Sequence, residues 1–245
     1  MFLSYGYYYG GFRYGMGMFY DPTMIFVLIG LALSLLASAL VKGTFAKYSK
    51  VRSMSGMTGA QAASRILHSA GIYDVNISHV AGNLTDHYDP RSKTLRLSDS
   101  TYNSASVAAV GVAAHECGHA IQHQKRYAPL VLRSTLVPAA NIGSSLAWPV
   151  FFIGMIASLP MLTTVGIILF GLAVVFQLVT LPVELNASRR AVRLLEDTGV
   201  LGHTENSGVK KVLTAAALTY VASLAASVLQ LLRLLVLAGG RRRND

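Results

Sequence analysis

Cysteine is almost missing from this chain: Cys117 is the single one in 245 residues. That excludes an internal disulfide framework and fits a reducing compartment. Charge is sparse as well. Asp, Glu, Lys and Arg supply 13% of the residues and hydrophobic ones 53%, whereas soluble domains carry about 25% charge. The deficit excludes an ordinary soluble domain and marks a membrane protein. Acidic side chains are the scarcer kind, 11 against 21 Lys and Arg, for a net charge of +10. The basic residues flank apolar runs, so they read as orientation signals and not as a nucleic-acid footprint. A Gly-rich phosphate loop, a paired-carboxylate sugar site and a nucleic-acid module are all lacking. Gly15 and Gly17 stand in Gly-x-Gly order with no strand before them.

Long uncharged runs are what the chain does have. Residues 22–41 carry no charge over 20 positions, about the length that crosses a bilayer core as a helix. Residues 134–183 carry none over 50, and Pro160 near the middle predicts two crossings joined by a tight turn at Ser158-Leu159-Pro160. Residues 212–232 add 21 more and a fourth crossing. The expected organisation is a Tyr/Gly-rich tail (1–21), a span (22–41), a catalytic region (42–133), two spans (134–158 and 161–183), a segment with a helix and loop (184–211), a last span (212–237) and a basic tail (238–245). A signal peptide cut near Ala37-Ser38-Ala39 is the alternative for the first run, although the segment before it is long and carries only Arg13. Sixteen Lys and Arg lie in 42–133 and 184–211, against five elsewhere. The basic-residue rule therefore places those segments on the cytoplasmic side of the cell membrane, with the terminal Arg241-Arg242-Arg243 arguing the other way.

The pattern that names a reaction is His115-Glu116-Cys117-Gly118-His119. On a helix the two histidines share a face, so both imidazoles reach one metal ion, and Glu116 sits beside it as a base. This is zinc-hydrolase chemistry. Random placement of 7 His and 4 Glu would produce the spacing in roughly one chain in three hundred. Cys117, in an apolar stretch, reads as a small packing residue with no ligand role.

Around the motif, Thr58-Gly59-Ala60-Gln61 matches a capping box opening a helix that stops at Gly71. Residues 74–80, 84–88 and 93–98 read as three strands of a small antiparallel sheet, and the metal helix spans about 104–125. Helix, sheet, then metal helix is the zincin order by analogy. The fold class is a mainly α-helical multi-pass membrane protein with a small zincin-like α+β catalytic unit. Residues 93–98 are the candidate free edge for an extended peptide.

A catalytic zinc takes three protein ligands. Downstream candidates are His123, Glu184, Glu196, Asp197, His203 and Glu205; upstream His68, His79 and His87 have no helical register with the pair. Glu184 is the best choice, because it follows the apolar hairpin directly, which returns it to the membrane face carrying the metal helix. Pro182 fits the first turn of a helix there. For the oxyanion, Tyr220, Arg189, Arg190 and His203 are eligible donors, and Tyr220 is preferred.

The stretches Leu84-Thr85-Asp86-His87-Tyr88-Asp89-Pro90, Ala113-Ala114-His115-Glu116-Cys117-Gly118-His119-Ala120-Ile121-Gln122, Leu181-Pro182-Val183-Glu184 with Ala187-Ser188-Arg189-Arg190-Ala191, and Ala217-Leu218-Thr219-Tyr220-Val221-Ala222 carry a resemblance. The chain resembles the YugP-type zinc-dependent membrane metallopeptidases, distantly related to the HtpX-like and CAAX prenyl endopeptidases. The resemblance implies a multi-pass membrane peptidase with one Zn2+, His115, His119 and Glu184 as ligands and Glu116 as base. Relatives with a glutamate ligand often carry an aspartate one turn later that orients a histidine. That position is Ser188 in this chain, with Asn186 as the expected substitute. The expected partners are a protein or peptide substrate and the lipid bilayer, without nucleic acid; the apolar spans also admit a homo-oligomer or a membrane partner. The alternative function is a non-catalytic metal-binding scaffold or adaptor working through the Tyr/Gly-rich tail. A metal transporter fits less well, since the first three apolar runs hold no charge for a conducting path.

Overall fold

The computed structural model describes residues 21–241. The Tyr/Gly-rich tail up to residue 20 and the last four positions, Arg242 and Arg243 among them, lie outside the described residues. In chain order the elements are α1 (Met24–Tyr48), α2 (Gly59–Ser69), β1 (Asn76–Val80), β2 (His87–Asp89), β3 (Thr94–Ser98), α3 (Val107–Gln124), α4 (Ala128–Ile156), α5 (Pro160–Asp197) and α6 (His203–Arg241). Four of them, α1, α4, α5 and α6, are long and apolar enough to cross a membrane.

The compact unit between α1 and α4 is specified locally. Thr58 Oγ1 accepts from the Gln61 amide while Gln61 Oε1 accepts from the Thr58 amide, completing the capping box of α2. Gly71, at φ +72°, reverses the chain after that helix. Ala62, Ala63, Ile66 and Leu67 then share the buried face of α2. Leu95 and Leu97 of β3 are fully buried against the same core, each burial contributing about 1.5–3 kcal/mol.

The sheet corrects two expectations. Its order is β1-β3-β2, with β1 parallel to β3 and β2 antiparallel to it. It is mixed, not antiparallel throughout, and residues 93–98 form its centre, not its edge. The cause is the loop between β1 and β2, which crosses the end of β3. Asp99 accepts from the Gly82 amide at 2.8 Å, and Asp86 takes the Ser98 amide and hydroxyl, both at 2.8 Å. The strand with two inward leucines thereby takes the doubly paired middle position.

Helix α3 starts at Ser106, whose hydroxyl accepts from the Ala109 amide. Small residues let other helices approach it closely. A Cβ on Gly118 would lie 2.7 Å from the Ala187 carbonyl oxygen of α5, and one on Gly111 would lie 3.0 Å from Val209 of α6. The apolar hairpin is tight in the same way: Gly166 faces the Phe151 backbone at 2.7 Å, and Gly143 faces the Leu169 carbonyl at 2.7 Å. Its turn lies at Ala157, Ser158 and Leu159, with Ser158 at φ +54°.

Pro182 does not open a helix; it lies inside α5, which runs unbroken for 38 residues. At 1.5 Å per residue that is about 57 Å, nearly twice a hydrocarbon core of about 30 Å. The apolar run continues helically past Pro182, because only one donor is lost and the neighbouring turns keep theirs. α6 is 39 residues long and lies antiparallel to α1: the Tyr48 ring meets Gly208 at one end, Gly30 meets Ala226 in the middle, and Arg233 pairs with Asp21 at 2.9 Å at the other.

Candidate metal centre

α3 and α5 cross at Gly118 and Ala187, and that crossing brings the motif to the long helix. The ligand-type atoms of His115, His119 and Glu184 all lie within 4.8 Å of one another. Glu184 Oε2 is 3.3 Å from His115 Nε2 and 3.5 Å from His119 Nε2. Atoms bound tetrahedrally about 2.0–2.2 Å from one metal are separated by about 3.4 Å, so both separations match. Glu184 is 3% exposed, and among the described residues no donor other than the two imidazoles approaches its Oε2. A carboxylate oxygen buried without a donor is costly unless a cation meets it. The donor set of two imidazoles and a carboxylate is that of a zinc site with one open position.

The other ring nitrogens are already engaged. Ser188 Oγ lies 3.1 Å from His115 Nδ1, so the uncharged hydroxyl itself takes the orienting position. On the second histidine, His119 Nδ1 meets Gln122 Oε1 at 3.0 Å. The Gln122 amide nitrogen donates to the Val183 carbonyl at 2.9 Å and to Asn186 Oδ1 at 3.0 Å. A backbone carbonyl can only accept, so Gln122 must present its oxygen to His119. Nδ1 then carries the proton and Nε2 is left as the free lone pair. Arg190 Nε donates to Asn186 Oδ1 at 2.7 Å, and its guanidinium lies over the Tyr127 ring. Asn186 acts therefore through Gln122, not directly on a ligand. Burial disfavours the charged form of His119, but the Glu184 and Glu116 carboxylates outweigh it and raise its pKa above the ordinary imidazole value. A metal cation satisfies the same preference for positive charge.

A cavity of about 310 Å³ opens on these groups. Glu116, 8% exposed, lines it with the two histidines and Glu184. Tyr220 of α6 and Arg133 of α4 line it too, and Arg133 Nη1 is 3.5 Å from Glu184 Oε1. His87 and Tyr88 of β2 line it as well, with Asp86 just before the strand. Burial pushes the Tyr88 phenol up to about 12, which keeps its hydroxyl protonated against His123 Nδ1 at 2.9 Å.

The remaining candidates do not join the ligand trio. His123 is held by Tyr88, His79 pairs with Asp99, and His68 stacks on Tyr73. His87 lines the cavity wall with Nδ1 2.8 Å from the Thr85 carbonyl. Arg189 and Glu196 face a separate groove between α5 and α6. Glu205 accepts from the Met54 and Gly202 amides. Asp197 ends α5 and His203 begins α6, both away from the cavity. Cys117 is fully buried with its thiol 3.6 Å from the Ala63 carbonyl, and burial pushes its pKa up, which makes it inert. Sequence reasoning missed Gln122 and Arg133. Gln122 was findable as the polar residue one turn past His119. Arg133 and Glu184 are the charges that bracket the uncharged hairpin, and a hairpin brings its ends together.

A family model described as "Putative neutral zinc metallopeptidase" matches residues 23–239. The chain is 48% identical over 225 residues to "Putative membrane protease YugP" of Bacillus subtilis (strain 168), a match covering 90% of this chain and 100% of that one. No solved structure matches.

Proposed function

From the premise that this chain belongs to the neutral zinc metallopeptidase family, we propose that it is a membrane-embedded endopeptidase with a zincin-like site on the cytoplasmic side. His115 Nε2, His119 Nε2 and Glu184 Oε2 would hold one zinc ion. When bound, zinc supplies Lewis acidity toward the scissile carbonyl and lowers the pKa of a water. Glu116 takes the proton from the attacking water and returns it to the leaving nitrogen. Tyr220 and Arg133, on the wall of the same cavity, donate to the oxygen on which negative charge develops. Gln122 and Ser188 hold the two imidazoles in the tautomer and orientation that ligation needs.

The substrate is an extended peptide. β2 has one side bonded to β3 and no other strand partner among the described residues, and it lines the cavity. Main-chain pairing along that side would lay a peptide beside Glu116 without regard to its side chains.

The observation that carries this reading is the trio of converging ligand atoms, with both Nδ1 atoms engaged and Glu184 Oε2 buried with no donor but the imidazoles among the described residues. Cleavage of an unfolded protein by zinc-loaded wild type and by zinc-loaded Glu116→Gln, in the same detergent, tests it. Hydrolysis by wild type alone is expected. Equal hydrolysis by both proteins would remove Glu116 from the mechanism.

A further inference from the structure

A second cavity is lined by α1 and α6 alone. It is an open groove of about 740 Å³. Its lower half is walled by Leu36, Leu40 and Leu218, which are 68%, 48% and 40% exposed. Its upper end carries Lys47, Lys210 and Lys211. Among the described residues none of these three lysines forms an ion pair, and Lys47 only lies over the Tyr48 ring. Between the two halves sits Gly43, where a Cβ would meet nothing within 4 Å.

The change from apolar wall to cation falls where both helices leave their uncharged runs: Lys42 follows residues 22–41, and Lys211 precedes residues 212–232. Because α1 and α6 are antiparallel, these two boundaries meet at one level. Lys210 also lines the neighbouring groove with Arg189, Arg193 and the opposing carboxylate of Glu196. Across both grooves five cations face one carboxylate. Long apolar walls below and unpaired cations above match one occupant, a molecule with acyl chains and an anionic head.

We infer that this groove binds an anionic phospholipid, its phosphate at Lys47, Lys210 and Lys211 and an acyl chain along Leu36, Leu40 and Leu218. The inference rests on the membrane-spanning part of the proposed function and not on its chemistry.

The test is native mass spectrometry of the full chain released from phosphatidylcholine vesicles that contain phosphatidylglycerol. Wild type is expected to keep phosphatidylglycerol in preference to phosphatidylcholine. Each of Lys47→Gln, Lys210→Gln and Lys211→Gln should lower that preference about fivefold. Gly43→Phe, which fills the acyl track and leaves the charge intact, should lower retention of both lipids. Glycerol phosphate, a head without chains, should fail to displace the lipid; displacement by it would overturn the site as a lipid groove in favour of a free-anion site. Equal retention of the two lipids by wild type, or an unchanged preference in all three lysine variants, would also overturn it. No turnover is read, so a wild type that selects phosphatidylglycerol yet never cleaves protein supports the lipid site and removes only the peptidase reading.

Discussion

α3 is 18 residues long and buried along most of its length, packed against α2, α5 and α6, with its two histidines turned to a single cavity. α5 is 38 residues long, and its first half exposes Ile168, Leu172, Val175 and Leu178. One helix presents the histidines from inside a close-packed unit; the other carries the carboxylate at the end of an apolar stem. Their meeting point is therefore the sensitive feature. α3 is fixed by its own capping and its small-residue contacts, while Glu184 is fixed only if α5 stays pressed against Gly118.

The largest effect is expected at Glu116, the base on α3 beside both helices' ligands. Glu116→Gln leaves every atom of the ligand trio in place, so zinc content should equal that of wild type while turnover falls about 10²–10⁴-fold. Metal analysis and a cleavage assay on one preparation separate the two. A loss of zinc in this variant would make Glu116 a ligand.

Next in size is the pair of groups behind the imidazoles. Gln122→Leu deletes the acceptor of His119 and strands the Val183 carbonyl, so zinc affinity should fall about 10–100-fold. Ser188→Ala should cost less, because among the described residues Ser188 Oγ meets one imidazole while Gln122 joins three groups. Competition with a chromophoric chelator ranks the two variants. A larger loss at Ser188 would reverse the assignment.

The crossing itself is tested by two glycines. Gly118→Ala must push α3 from α5, costing about 1–3 kcal/mol, and should lower both the thermal midpoint and zinc affinity. Gly171→Ala, in the membrane half of α5 with open space at its Cβ, should leave both unchanged. Matching losses in the two variants would show that the crossing is not special.

The smallest effect is expected at Cys117. Its buried thiol should resist alkylation at neutral pH until the protein is unfolded, read by mass spectrometry. Labelling of the folded protein would place this residue at the cavity surface.

Much of this was legible in the chain, and the failures have physical causes. Three uncharged runs, the longest divided at Pro160, and the capping box at Thr58 state their elements locally, because span length and helix caps depend on near neighbours. The ligand-type trio was also readable, since i, i+4 spacing places the histidines and a hairpin returns Glu184 to the same level. Sheet order was not readable: which strand lies in the middle depends on Asp86 and Asp99 pinning the crossing loop, contacts between residues remote in register. Pro182 misled because proline opens helices far more cheaply than it sits inside them. Gln122 and Arg133 act across helices, and their partners Val183, Asn186 and Glu184 are some fifty to sixty residues away, as 61 residues separate Gln122 from Val183.

The most direct measurement is X-ray absorption at the zinc edge of zinc-loaded Glu116→Gln protein in detergent. Nitrogen and oxygen neighbours alone are expected at about 2.0–2.2 Å, with the outer-shell signature of two imidazoles. A sulfur neighbour at about 2.3 Å, which only Cys117 or a methionine could supply, or the signature of fewer than two imidazoles, would contradict a centre built from His115, His119 and Glu184.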